Sequence, residues 1–130
     1  MNFEYYVRKE GDEPRAIALV ERALLGCLII DCGLRAHTRN LKPEDFSNKF
    51  RADVFRAISE IEGPVDLVIL AEHMERNNVP SPNGKFWAEH LASLLDLVPD
   101  IENVAEYAKI VRQAAMVRRL EARRSGGSAF

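Results

Sequence analysis

Apolar residues in this chain recur mainly every three or four positions, with no alternating strand pattern among them, a periodicity that belongs to helices and not to strands. Ile17, Val20, Ala23, Leu24, Cys27 and Leu28 make the first such stripe. Asp12 and Glu13 ahead of Pro14 mark its start, because proline suits the first turn of a helix. The spacing predicts helix one over 14–30, ended by Asp31-Cys32-Gly33. Lys42-Pro43-Glu44-Asp45 then marks a new helical turn, with Phe46 as a plug in the core. Val54, Phe55, Ile58 and Ile61 form a second stripe, which Gly63-Pro64 stops near Glu62 because proline cannot extend a helix. Asp66 is placed to cap a third helix whose Leu67, Leu70, Ala71 and Met74 face inward.

Asn77-Asn78 and Pro80-Ser81-Pro82-Asn83-Gly84 read as a floppy loop. Trp87, Leu91, Leu94, Leu95 and Val98 follow as a fourth stripe closed by Pro99. Asn103 with Glu106 three residues on has the form of a capping box, opening a last helix that carries Val104, Tyr107, Ile110, Val111, Ala114 and Val117. With no alternating run and no hairpin dipeptide between apolar stretches, the expected fold is all-α, a compact irregular bundle of five or six helices. At 130 residues it has room for one core. The helical domain is expected over 14–122, between a flexible N-terminal arm, 1–13, and a flexible tail or linker start, 123–130, that contains Ser125-Gly126-Gly127-Ser128.

The apolar run 23–30 falls far short of the roughly 20 residues that span a bilayer. The first ten residues lack the order of a secretory signal, so the expected location is the cytoplasm. Cys27 and Cys32 are too few for a disulfide framework and are expected to be buried free thiols. The net charge of −2 is unevenly spread: 60–106 holds 2 basic and 10 acidic residues, whereas 107–130 holds 6 basic and 1 acidic. The acidic middle would repel nucleic acid. The basic end, Lys109, Arg112, Arg118, Arg119, Arg123 and Arg124, reads as a solvated helix terminus, where cations complement the dipole, so direct DNA binding is not expected.

Tests for chemistry fail. A phosphate-cradling loop needs glycines at set spacing followed by lysine and a hydroxyl; Gly84-Lys85 is followed by Phe86, and Val79 stands where the first glycine should be. His37, His73 and His90 are scattered and read as surface residues; Glu72-His73 and Glu89-His90 lack the second histidine one turn on that a helical zinc site supplies. No serine lies in a GxSxG elbow. The expectation is therefore no catalytic residue, no cofactor and no metal. The more informative object is the last helix, whose apolar arc is wider than one core face needs. Tyr107, Ile110, Val111, Ala114, Val117 and Arg118 are its candidate self-association or partner face.

Several stretches, taken together and in order, resemble the N-terminal domain of DnaB-type bacterial replicative helicases. They are Glu21-Arg22-Ala23-Leu24-Leu25-Gly26-Cys27-Leu28-Ile29-Ile30-Asp31, Leu41-Lys42-Pro43-Glu44-Asp45-Phe46, Val54-Phe55-Arg56-Ala57-Ile58 and Gly63-Pro64-Val65-Asp66-Leu67 with Leu70. Pro99, Asn103, Tyr107-Ala108, Ile110-Val111 and Arg118 complete the set. The resemblance covers about 14–120. It implies an all-helical, non-catalytic collar domain that takes part in DNA replication, packing in pairs within a hexameric ring and receiving primase, with a helicase loader as a further partner. ATP and Mg belong to a separate RecA-like motor that this sequence lacks. Departures from the pattern are Ile69 where a capping threonine is usual, a short Glu62-Gly63-Pro64 connection, and Arg51 where a histidine often stands. The family also extends the last helix into a hairpin that mediates pairing; here Leu120 is soon followed by Arg123-Arg124-Ser125-Gly126-Gly127, the start of a truncated hairpin.

Three functions remain open at the level of sequence. The chain is the collar domain of a longer helicase; or it is a free-standing helicase- or primase-binding adaptor or inhibitor from a phage or mobile element; or it is a small DNA-binding regulator supported only by the basic end.

Overall fold

The computed structural model describes residues 15–97 and 99–126, with side chains to Arg124. Among them are five α-helices, with 3-10 turns between them and no strand, in agreement with the all-α bundle expected from periodicity. They are α1 (Arg15–Ile30), α2 (Lys49–Glu60), α3 (Leu67–Arg76), α4 (Trp87–Leu94) and α5 (Val104–Gly126). The N-terminal arm and Pro14 lie outside the described residues, as do Val98 and 127–130.

Helix α1 is the central element, because seven consecutive residues from Ala23 to Ile29 are buried. A helix apolar all round must be covered all round, and α2, α4 and α5 cover it. Gly26 shows how closely. A Cβ placed there would lie 3.1 Å from the Leu94 carbonyl oxygen and 3.2 Å from Pro99 Cγ, so only glycine lets the end of α4 and the Pro99 turn rest on α1. Phe46 enters the core as expected, its ring 4.9 Å from that of Phe55. Trp87, Leu91, Leu70 and Met74 fill the space between α3 and α4.

Polar groups define the helix ends. Asn48 Oδ1 accepts the Phe50 and Arg51 amides at the start of α2 (2.9 and 3.1 Å). Asp66 Oδ1 accepts the Ile69 amide at 2.8 Å, so Asp66 caps α3 despite the missing threonine at 69. A C-terminal carbonyl of α2 and two in the turn after it are satisfied by a distant residue: Arg35 donates to Ile58 O (3.4 Å), Ile61 O (2.8 Å) and Gly63 O (2.7 Å). Gly63 follows at φ +92°, a conformation that favours glycine.

The structure corrects four local expectations. The loop 77–84 is not floppy, because Pro82 is buried and the Trp87 indole donates to Val79 O at 2.7 Å. Asn103 does not open α5 with a capping box. The chain leaves Pro99 through a 3-10 turn, Ile101–Asn103, whose cap is Asp100 (to the Glu102 amide, 3.0 Å), and that turn runs directly into Val104. The helix also continues past 123, through Gly126, because Arg123, Arg124 and the residues after them extend a rod already nucleated by five turns. Cys27 is a buried free thiol, pushed above its usual pKa chiefly by desolvation and also by Asp100, but Cys32 is only half-buried.

Candidate partner face on the last helix

One side of α5 belongs to the core: Val104, Ala108, Val111 and Ala115 recur at four, three and four residues and are all buried. This places the six sequence candidates in four groups. Val111, 1% exposed, is a core residue and is not available to a partner. Tyr107 packs against the core from its edge, and Ile110 and Ala114 are half-buried on the flank. Val117 lies on the exposed side, 38% accessible. Arg118 is turned inward, its Nη2 donating to the Asp45 carbonyl at 2.8 Å. Two residues outside that set complete the exposed face: Met116 at 49% and Leu120 at 54%. Their signal was present in the spacing, since Val117 and Leu120 stand three apart, as do Gln113 and Met116.

The direction of α5 is fixed by a buried acid. Asp45 has no exposed side-chain surface; its Oδ2 accepts the Lys42 amide (2.8 Å) and its Oδ1 accepts Arg119 Nη2 (2.5 Å). Arg112 Nη1 lies 3.8 Å from Oδ2 and donates to Asn40 O at 2.7 Å. Three arginines of the basic end are thus engaged by the segment 40–45, and Arg124 pairs loosely with Glu121 at 3.8 Å. Periodicity finds apolar stripes; it did not indicate that Asp45 and Arg119, 74 residues apart, would meet.

A second buried ionic contact joins α1 to α2. Glu21 Oε1 accepts Arg51 Nε at 2.8 Å and Glu21 Oε2 accepts the Ser47 amide at 2.9 Å. Both side chains are almost wholly out of water. The departure at Arg51 therefore has a structural partner in the chain. His90 differs from a surface histidine too: half-buried, with its ring edge-on to Trp87 (5.4 Å) and Phe50 (6.2 Å), it has a pKa lowered by burial first and by Arg51, Arg22 and Lys85 next. His37 is exposed and His73 sits beside Glu60 at 3.3 Å. Among the described residues no group of three or more His, Cys, Asp or Glu side chains could hold a metal ion, and no helix is long and apolar enough to cross a membrane.

Comparison with known proteins agrees with this architecture. The model of the DnaB-like helicase N terminal domain matches residues 13–113. Replicative DNA helicase DnaB of Treponema pallidum (strain Nichols) is 33% identical over 115 residues, 85% of this chain and 26% of the relative. The replicative DNA helicase DnaB of Geobacillus stearothermophilus is 32% identical over 111 residues, 82% of this chain and 24% of its own length. This chain thus spans about a quarter of the length of these relatives. The crystal structure of the N-terminal domain of DnaB helicase from Mycobacterium tuberculosis superposes with a TM-score of 0.71 at 30% identity, covering 79% of this chain and 76% of that one. The matched region is the N-terminal domain alone, and the sequence holds no phosphate-binding loop, so the ATPase unit of such helicases is not in this chain. A bundle closed around α1, with α5 held across it by Asp45, is accordingly that of a chain that belongs to the DnaB-like helicase N-terminal domain family.

Proposed function

We propose that this chain serves DNA replication as a non-catalytic collar domain, associating with further copies of itself and docking primase through the exposed side of α5. A helicase loader would be a further partner, and the cytoplasm its place of action. The observation that carries this reading is the cluster Met116, Val117 and Leu120, exposed on a helix whose opposite side is buried and whose orientation is held by Asp45. Apolar surface on a fixed helix face stabilises association, at about 25 cal/mol per Å² removed from water. The engagement of Arg118 and Arg119 by Asp45 weighs against the DNA-binding regulator, whose only support was that basic end.

Sedimentation equilibrium of the parent and of Val117→Glu and Leu120→Glu tests the proposal, with a purified bacterial primase added in a second series. The expected result is a parent mass above 14.7 kDa that falls to the monomer value in both variants, with unchanged melting, and a primase complex lost in parallel. A parent that is monomeric at every concentration and ignores primase would sink it.

A further inference from the structure

Nearer the N-terminal end of α5 than Met116, Val117 and Leu120, a groove of about 370 Å³ lies between α5 and the end of the 3-10 helix Cys32–Thr38 with the segment that follows it. Its floor is apolar and small: Leu41 and Ala108 are buried there, with Ala105 beside them. Its rim is cationic. Lys109 is exposed and forms no ion pair among the described residues, and Arg112 keeps 43% of its side chain accessible while its Nη1 reaches Asn40 O and lies 3.8 Å from the buried Asp45 carboxylate; the exposed His37 stands opposite, uncharged at pH 7. No carboxylate lines the groove. The sequence supports the same polarity, since 32–43 carries Arg35, Arg39 and Lys42 without one acidic residue in a chain of net charge −2.

We infer that this groove is a docking site for an acidic peptide segment of a partner protein, with one apolar side chain on the Leu41–Ala105–Ala108 floor and flanking carboxylates at Lys109 and Arg112. Charge complementarity selects that occupant. A purely apolar segment would leave the Lys109 charge against a partner with nothing to offset its desolvation. Single-stranded nucleic acid, the other polyanion, binds by stacking successive bases on aromatic side chains, and apart from the His37 imidazole no aromatic ring lines this groove. The site does not depend on the collar reading, since it shares none of Met116, Val117 or Leu120.

The test is an amide chemical-shift titration of the isotope-labelled chain with the peptide acetyl-Glu-Asp-Leu-Asp-Glu-amide at low salt, repeated on Lys109→Glu and on Ala105→Trp. Both substitutions fall at exposed positions, so folding can be checked by the unperturbed remainder of the spectrum. The expected result is saturable shifts confined to 37–41 and 105–113. Affinity should fall about tenfold in Lys109→Glu, the order of effect for reversing a close charge, and weaken steeply with salt. Ala105→Trp, which fills the groove, should abolish the shifts. Shifts elsewhere, equal affinity in the variants, or no saturation at millimolar peptide would overturn the inference. So would an oligothymidylate that binds the groove more tightly than the peptide, or the same shifts appearing when the protein alone is concentrated, which would assign the groove to a second copy.

Discussion

Glu21 and Asp45 are both carboxylates without exposed surface, yet the fold treats them differently. Glu21 meets Arg51, which is nearly as buried as itself, at the junction of α1 and α2. Asp45 is held at its own turn by the Lys42 amide and is reached from α5 by arginines whose stems lie along the surface, 43–44% accessible. In the first contact neither charge has water to fall back on, whereas in the second the cations can be rehydrated when the contact opens. One contact therefore secures the core and the other anchors a helix. The difference teaches that burial of the acid alone does not set the strength of an ionic contact; the accessibility of its partner matters as much.

The largest effect should follow removal of one member of the closed pair. Arg51→Ala strands Glu21 in the core and is expected to lower stability by about 3–5 kcal/mol, read by urea denaturation. A loss no larger than that of an exposed pair would break the contrast between the two sites. Replacing both members together, Glu21→Leu with Arg51→Met, should recover much of the loss, since an apolar pair of similar volume carries no stranded charge.

Asp45→Ala should do less, about 1.5–3 kcal/mol, the worth of hydrogen bonds to a charged group. Its signature is local. Hydrogen exchange is expected to quicken over 112–124, while α1 and α3 keep their protection. Uniform loss of protection would mean that Asp45 belongs to the same cooperative unit as Glu21. Within the proposed function, Asp45→Ala should also weaken any assembly made through α5, because Met116, Val117 and Leu120 would lose their fixed orientation.

The smallest effect concerns pH near the closed pair. Burial, with Arg51, Arg22 and Lys85 in support, lowers the pKa of His90 below its ordinary value of about 6.5, so the folded state favours the neutral ring. The unfolded chain then binds more protons, and stability is lost as pH falls below that ordinary value towards the lowered one. Urea midpoints should drop on acidification through this window, and the drop should shrink in His90→Gln. An identical slope in the variant would remove His90 as the cause.

Much of this domain was legible in the sequence because helix periodicity is a local property. The stripes at Ala23–Leu28, Val54–Ile58, Leu70–Met74 and Trp87–Leu94 all entered the core, and Asp66 capped α3. Glu21 was visible in principle too, as a charge four residues after Ile17 and three before Leu24, inside an apolar stripe where only a paired acid is tolerated. The partner face was half legible. The wide arc on α5 announced more apolar surface than one core face needs, but periodicity assigned Val111 to that face when packing had already claimed it.

Near-neighbour spacing along the chain determined by itself that this protein is helical, where its helices lie, and that it carries no phosphate-binding loop. Only the tertiary structure decided which side of α5 remains exposed, that Arg51 pairs with Glu21 across 30 residues, and that Arg119 reaches Asp45 across 74. The physical reason is one of range: a helix is specified by side chains three and four residues apart, whereas a buried charge is satisfied by whatever group the packing of the whole chain brings within 3 Å.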